Sequence, residues 1–269
     1  MTSPDEKNTS ETDVDPFVAY YEAESTSVAS INRSEAIMDD LLRLRHTLRL
    51  GTDGLTVADI GCNAGTQSTV WARCGHHVHG IDINEPLVEI ARQRNRDTGL
   101  DIDFRVGSAT GLPWDSDSMD ICLLPELLEH VPDWKQVIAE ACRLLKAGGM
   151  LYLSTSNRLC PVQNEFDLPL YSWYPGKLKK YCLQLAITTH KEWVAYADYP
   201  AVNWFTPYEL ARDLEHRGFT SFDRFDIIDR KNRPFWQRCI LQTIRTVAPL
   251  RWLGHVATPY SLLIGIRKP

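Results

Sequence analysis

The chain has 269 residues, 43% of them hydrophobic, and a formal net charge of −6. That is enough apolar material for a real core and enough length for one large domain or two small ones. The acidic balance excludes a protein whose whole surface binds nucleic acid, and the absence of any run of about 18 apolar residues excludes a transmembrane helix.

Residues 1–16 begin MTSPDEKNTSETDVD, polar and acidic, and read as a disordered tail without a signal peptide. Residues 17–269 then form one domain. Residues 34–49, SEAIMDDLLRLRHTLR, place apolar side chains at helical spacing. LTVADIG is a short buried strand, and TQSTVWARCG a helix ending at Gly75. HVHGIDIN is a second strand with Asp82 near its end. EPLVEIARQRNRDTG is a helix with Pro86 in its first turn and Gly99 as its stop. IDFRVGSA and MDICLLPE are the third and fourth strands, WKQVIAEACRLLKAGG a helix, and MLYLSTS the fifth strand. TPYELARDLEHRG is a helix N-capped by Thr206, with Pro207 at its first position. FDRFDIID and YSLLIGIRK complete seven strands. Strands alternating with helices imply an α/β fold, a Rossmann-like and mostly parallel sheet covered on both faces. The seven cysteines are scattered and never paired as CxxC, so they read as buried thiols of a cytoplasmic protein.

The chemistry starts at VADIGCNAGTQS, residues 57–68. In such a sheet, ligands sit beyond the carboxyl ends of the strands at the switch point. A dinucleotide loop would read GxGxxG; here those positions hold Gly61, Asn63 and Thr66, so only the first glycine is present. What stands instead is Asp59-x-Gly61-x-x-x-Gly65, with Asp82 closing the second strand, where an acid accepts hydrogen bonds from ribose hydroxyls. Asp59 would repel a pyrophosphate and attract an ammonium or sulfonium. The loop suits an adenosine ligand with a cationic tail.

This stretch resembles motif I of the class I S-adenosylmethionine-dependent methyltransferases. The resemblance extends through GIDIN at the second strand, GSATGLPWDSDSMDIC before the fourth and LLKAGGMLYLST before the fifth, and covers roughly residues 34–269. It implies S-adenosyl-L-methionine as cofactor. Gly61 and Gly65 would let the backbone approach its methionine part, and Asp59 would orient the loop and the amino group. Asp82 would take the ribose, and Ile83 would flank the adenine. Ser108 and Ala109 fall where the family shows an acid and an apolar residue, so serine is a departure that removes a charge. Leu124 would lie near the methionine chain. Arg33 has two readings, a partner for the cofactor carboxylate or a solvated arginine.

PELLEHV, residues 125–131, resembles the ubiquinone-biosynthesis O-methyltransferases, which carry E-x-x-E-H here; STSNR and WFTPYEL strengthen the likeness. It implies that Glu126, Glu129 and His130 hold a divalent cation such as magnesium, a chemistry that carboxylates and an imidazole support. His130 as a general base, and the motif as structure alone, remain as alternatives.

Two inserts interrupt the pattern. Residues 158–204 are rich in Trp, Tyr and Pro and read as a lid over the acceptor site. Residues 229–258 carry six basic residues (230, 231, 233, 238, 245, 251) against Asp229, interleaved with Phe235, Trp236, Ile240, Leu241, Ile244 and Val247 at helical spacing. That pattern suits either peripheral contact with an anionic membrane or a packing or homodimer helix. The expected activity is O-methylation of a small-molecule or lipid-linked acceptor, a lipophilic phenol, quinol or sugar hydroxyl, with no nucleic acid involved. N- or C-methylation of a small natural product, and a catalytically inactive partner subunit, are the alternatives.

Overall fold

The structure is a computed structural model that describes residues 15–163, 165–194, 200–229 and 233–268. Residues 1–14 of the expected tail lie outside these. Two helices open the fold: α1 (Pro16–Ser25), capped by Asp15, which the sequence reading did not find, and α2 (Val28–Thr47), capped by Ser27, which begins six residues before the expected helix at 34–49. The first had no apolar stripe to reveal it, since Val18 is its only buried residue.

The alternation then follows the sequence closely: β1 (Thr56–Ile60), α3 (Thr66–Arg73), β2 (His77–Asp82), α4 (Glu85–Thr98), β3 (Ile102–Val106), β4 (Met119–Pro125) and α5 (Trp134–Leu144). In α4 Gly99 stops the helix in the left-handed conformation as expected, while Asn84, read as the end of the second strand, caps the helix by accepting from Leu87 N–H. β5 (Leu145–Ser156) begins five residues earlier than the MLYLSTS reading, so α5 stops at Leu144 and KAGG belongs to the strand. α6 (Gly176–Thr188) lies in the first insert. α7 (Pro207–His216) starts with Thr206 and Glu209 forming a reciprocal capping box.

The sixth strand is displaced from FDRFDIID. β6 is Phe219–Asp223, followed at once by α8 (Arg224–Ile227). Asp223 accepts from Phe225 N–H and Asp226 accepts from Asp223 N–H, so the chain turns helical where apolar alternation suggested extension. The second insert is two helices, α9 (Phe235–Thr246) and α10 (Ala248–Val256), split where Pro249 opens the second. β7 (Tyr260–Arg267) ends the described fold.

The described strands form one seven-stranded sheet in the order β3-β2-β1-β4-β5-β7-β6. Only the β7 pairings are antiparallel. β1 and β4 are almost wholly buried, as strands covered on both faces must be. One apolar cluster packs under α5 and α7 and includes Leu128, Val137 and Leu214; the other packs under α2, α3 and α4 and includes Leu41, Trp71 and Val88. The first insert has a small core of its own around Phe166, Tyr171, Cys182 and Ala186. All seven cysteines are free; Cys74 and Cys239 are exposed rather than buried. No helix among the described residues is long and apolar enough to cross a membrane.

Candidate active site

The chain order of the sheet reverses between β1 and β4, which puts the switch point beyond the carboxyl ends of β1, β2 and β4. A cavity of about 500 Å³ opens there. Asp59, Gly61, Asn63, Asp82, Ile83, Ser108, Ala109, Glu126 and His130, all singled out from the sequence, line it. α1 and α2 cover it with Phe17, Tyr21 and Arg33.

The loop after β1 is held by β2. Gly61 N–H and Cys62 N–H both donate to the Ile81 carbonyl, at 2.8 and 3.0 Å. Asn63 adopts a φ of 47°, and its N–H donates to Asp82 Oδ2 at 3.0 Å. Asn84 N–H donates to Asp82 Oδ1 at 2.8 Å. The Asp82 carboxylate is therefore pinned at the cavity edge by two backbone donors, and burial raises its pKa. Beside it, Ile83 is 66% exposed, an apolar side chain presented to the cavity.

Asp59 is fully buried. Ser68 Oγ donates to its Oδ2 at 2.6 Å, while Oδ1 has no hydrogen-bond partner among the described residues. Burial, and the charge of Asp82, push Asp59 up to about 6 against the Ser68 hydrogen bond. Buried polar atoms almost always have a partner, so this lone oxygen at the cavity is suited to a cationic group. Ser108 Oγ is turned to Thr110, accepting from its N–H and lying 2.8 Å from its hydroxyl.

Two expected contacts differ. Leu124 lies in the core with no exposed surface, and Pro125 and Leu127 line the cavity instead. Gly65 does not face the cavity. It caps α3 with φ 81°, and a Cβ there would stand 2.8 Å from Phe104 Cζ and 3.0 Å from Ala91 Cβ. Its role is the close approach of α3 to β3 and α4 rather than to a ligand.

The E-x-x-E-H residues divide. Glu126, at φ 52°, forms an ion pair with Arg33 at 2.8 Å. That settles the geometry of Arg33 in this structure: its guanidinium faces a carboxylate of the chain itself. Glu129 is wholly buried beneath the cavity wall. Thr155 Oγ1 donates to its Oε2 at 2.8 Å, Oε1 lacks a partner among the described residues, and burial pushes the carboxyl up to about 8. His130 lines the cavity close by. Glu165, carried in from the first insert, completes a cluster whose ligand atoms with Glu129 and His130 lie within 4.8 Å of one another. Burial raises the Glu165 pKa, and Ser156 Oγ donates to its Oε1 at 3.2 Å. The candidate metal set is thus Glu129, His130 and Glu165, with Glu126 engaged elsewhere. No motif marked Glu165, which is one of four acidic residues in the insert.

Residues 58–153 match the family described as the methyltransferase domain. Over this central segment the chain is similar to methyltransferases. Over 111 residues it is 41% identical to a ubiquinone biosynthesis O-methyltransferase of Xanthomonas oryzae pv. oryzae, a match covering 41% of this chain and 46% of the relative. The chain therefore matches about half the length of such curated relatives. Two solved structures share the fold. The YcgJ protein of Bacillus subtilis has a TM-score of 0.54 at 19% identity, covering 85% of this chain and 98% of that one. A SAM-dependent methyltransferase of Methanosarcina mazei has a TM-score of 0.52 at 22% identity, covering 83% and 96%. S-adenosylmethionine is the cofactor of this domain type. The cavity's residues fit it: a buried lone carboxylate oxygen for the amino group, a pinned carboxylate for the ribose and an apolar side chain for the adenine.

Proposed function

We propose that this protein methylates an oxygen acceptor, a phenol or quinol hydroxyl on a lipophilic body, at the expense of S-adenosylmethionine. The observation that carries this reading is the opening of His130 and Glu165 onto the same cavity whose far end holds Asp82, so that acid–base groups and cofactor contacts share one chamber. The relatives' names, which specify O-methylation in ubiquinone biosynthesis, support the oxygen acceptor. S-adenosylmethionine supplies an electrophilic methyl group on a sulfonium.

The chain's residues do the rest. Asp82 and the Gly61–Asn63 backbone orient the cofactor, and Asp59 offers its free oxygen to the amino group. α1 and α2 exclude water with Phe17 and Tyr21. His130 would accept the acceptor's hydroxyl proton as the oxygen–methyl bond forms and the sulfonium–methyl bond breaks, with that bond's electron pair left on sulfur. Glu129 and Glu165 would hold a divalent cation together with His130; the unpartnered Glu129 Oε1 fits that role. A bound cation supplies an alternative means of lowering the hydroxyl pKa. In that state His130 is a ligand and not the base, so the two roles are exclusive and separable by chelation.

The exposed apolar residues of α9 and α10 support delivery of the acceptor from a membrane. Phe235 and Trp236 are 79% and 60% exposed, and α9 buries none of its side chains. The basic component is weaker than the sequence suggests. Arg251 pairs with Asp223 and Asp226, and Arg245 lies 3.5 Å from Asp226. Arg230 and Lys231 lie outside the described residues.

The test is transfer of labelled methyl from S-adenosylmethionine across quinol, glycan, small phenol and amine acceptors. Transfer to quinols or phenols that disappears in the Asp82→Ala protein supports the reading. Transfer to amines alone refutes it.

A further inference from the structure

A second cavity, of about 620 Å³, lies between the first insert, α5 and α7. It shares no lining residue with the cofactor cavity. Its charge is opposite to that of the chain. Lys135, Arg158, Lys179, Lys180 and Arg212 line it against two acids, Glu209 and Asp213, in a protein of net charge −6. Both acids are already engaged: Glu209 with Arg158 at 2.6 Å, and Asp213 with Arg217, which lies outside the cavity, at 2.8 Å.

Lys179 is the decisive residue. It is half-buried and has no carboxylate partner among the described residues. Its Nζ lies 3.9 Å from the centre of the Trp204 ring and 5.6 Å from that of Tyr171. Burial, with the nearby charge of Arg158, pushes its pKa down to about 8. A lysine partly stripped of water is ordinarily matched by an acid; here only ring faces compensate it. Aromatic side chains make much of the rest of the wall, with Trp134 and Phe205 packed edge to face at 5.1 Å and Tyr171 and Trp204 at 5.3 Å. A concave site that is apolar over most of its surface, with a few convergent cations, is built for a molecule with an apolar body and an anionic group.

We propose that this cavity is a second ligand site, for a small amphiphile whose phosphate or carboxylate pairs with Lys179 and whose apolar body lies against the Trp204 and Phe205 rings. The site is mechanically joined to the active site. Val202 and Asn203, in its wall, donate their N–H groups to the Glu129 carbonyl at 2.8 and 3.1 Å, and Asn203 Nδ2 bonds the Leu128 and Val131 carbonyls. Binding there braces the loop that carries Glu129 and His130.

The test is calorimetry of the full chain with monododecyl phosphate below its critical micelle concentration, beside decyl maltoside as a neutral amphiphile and vesicles of phosphatidylglycerol. The expected result is saturable binding of the phosphate amphiphile and none of the neutral one. Affinity should fall at least tenfold in Lys179→Met and be retained in Lys179→Arg, with S-adenosylhomocysteine affinity unchanged in both. If Lys179→Met loses S-adenosylhomocysteine binding and so has not folded, Arg212→Met takes its place with the same expected loss. Equal affinity in the parent and the folded variants overturns the proposal. So does equal binding of the neutral amphiphile. Vesicle binding that depends on Lys179, without binding of the soluble phosphate, also overturns it, because the occupant would then be a membrane surface.

Discussion

Replacing Asp82 with alanine separates cofactor recognition from the rest of the fold. An ionised carboxylate has about four acceptor positions. Asn63 N–H and Asn84 N–H take one on each oxygen, which leaves two for the two ribose hydroxyls. Each hydrogen bond to a charged group is worth about 1.5–3 kcal/mol. The pair therefore contributes about 3–6 kcal/mol, and at about 1.4 kcal/mol per factor of ten its loss weakens binding by about 10²–10⁴. The assay is calorimetric titration with S-adenosylhomocysteine, after a thermal melt shows that the variant is folded. Part of the loss could come through the Asn63 loop, which the same carboxylate holds. A 2′-deoxy analogue distinguishes the two contributions. It should bind the parent more weakly than S-adenosylhomocysteine does, but bind Asp82→Ala as well as the unmodified ligand, because the contact is already gone. Unchanged affinity in a folded Asp82→Ala protein refutes the reasoning, as does tight binding of NAD by the parent.

Three further outcomes follow from the geometry. Chelation with EDTA should reduce turnover and magnesium should restore it, and Glu165→Gln should lose that metal response; full activity in EDTA combined with its abolition in His130→Ala would assign His130 as the base and exclude the metal. Asp223→Asn should cost about 1–3 kcal/mol of stability at pH 7, because the buried His255 loses its carboxylate and Arg251 keeps only Asp226. Burial raises the Asp223 pKa, but the hydrogen bonds from His255 and Arg251 outweigh it and hold it below the ordinary value. Its contribution should thus be complete above the unfolded carboxyl pKa of about 3.9 and disappear as pH falls further, so parent and variant melting temperatures should converge only below about pH 4; equal melting at pH 7 would refute this. Finally, co-sedimentation with phosphatidylglycerol vesicles should persist as salt rises and be lost in a Phe235→Ser, Trp236→Ser double variant, since the exposed surface of α9 is mainly apolar; an unbound parent at low salt would make this face a protein contact.

Much of the fold was legible locally. Strand and helix alternation, the Thr206 cap, the Gly99 stop and the Asp59-x-Gly61 loop are set by residues within a few positions of one another, so near neighbours in sequence suffice to determine them. The same holds for most of the residues that line the cavity, because they hang from the ends of parallel strands that the topology brings side by side. What the local pattern could not contain is which side chain meets which across long separations. Glu126 pairs with Arg33, 93 residues away, and is not part of the Glu129, His130 and Glu165 cluster, which Glu165 enters from an insert without a recognisable motif. Leu124 and Gly65 face the core because β4 and α3 are covered on the side from which a ligand seemed accessible. Arg245 and Arg251 belong to a helical pair that looks like a basic face, yet they turn inward to Asp223 and Asp226, two acids of the β6–α8 turn. Charge balance and burial are properties of three-dimensional neighbourhoods, and only the folded chain decides which neighbours those are.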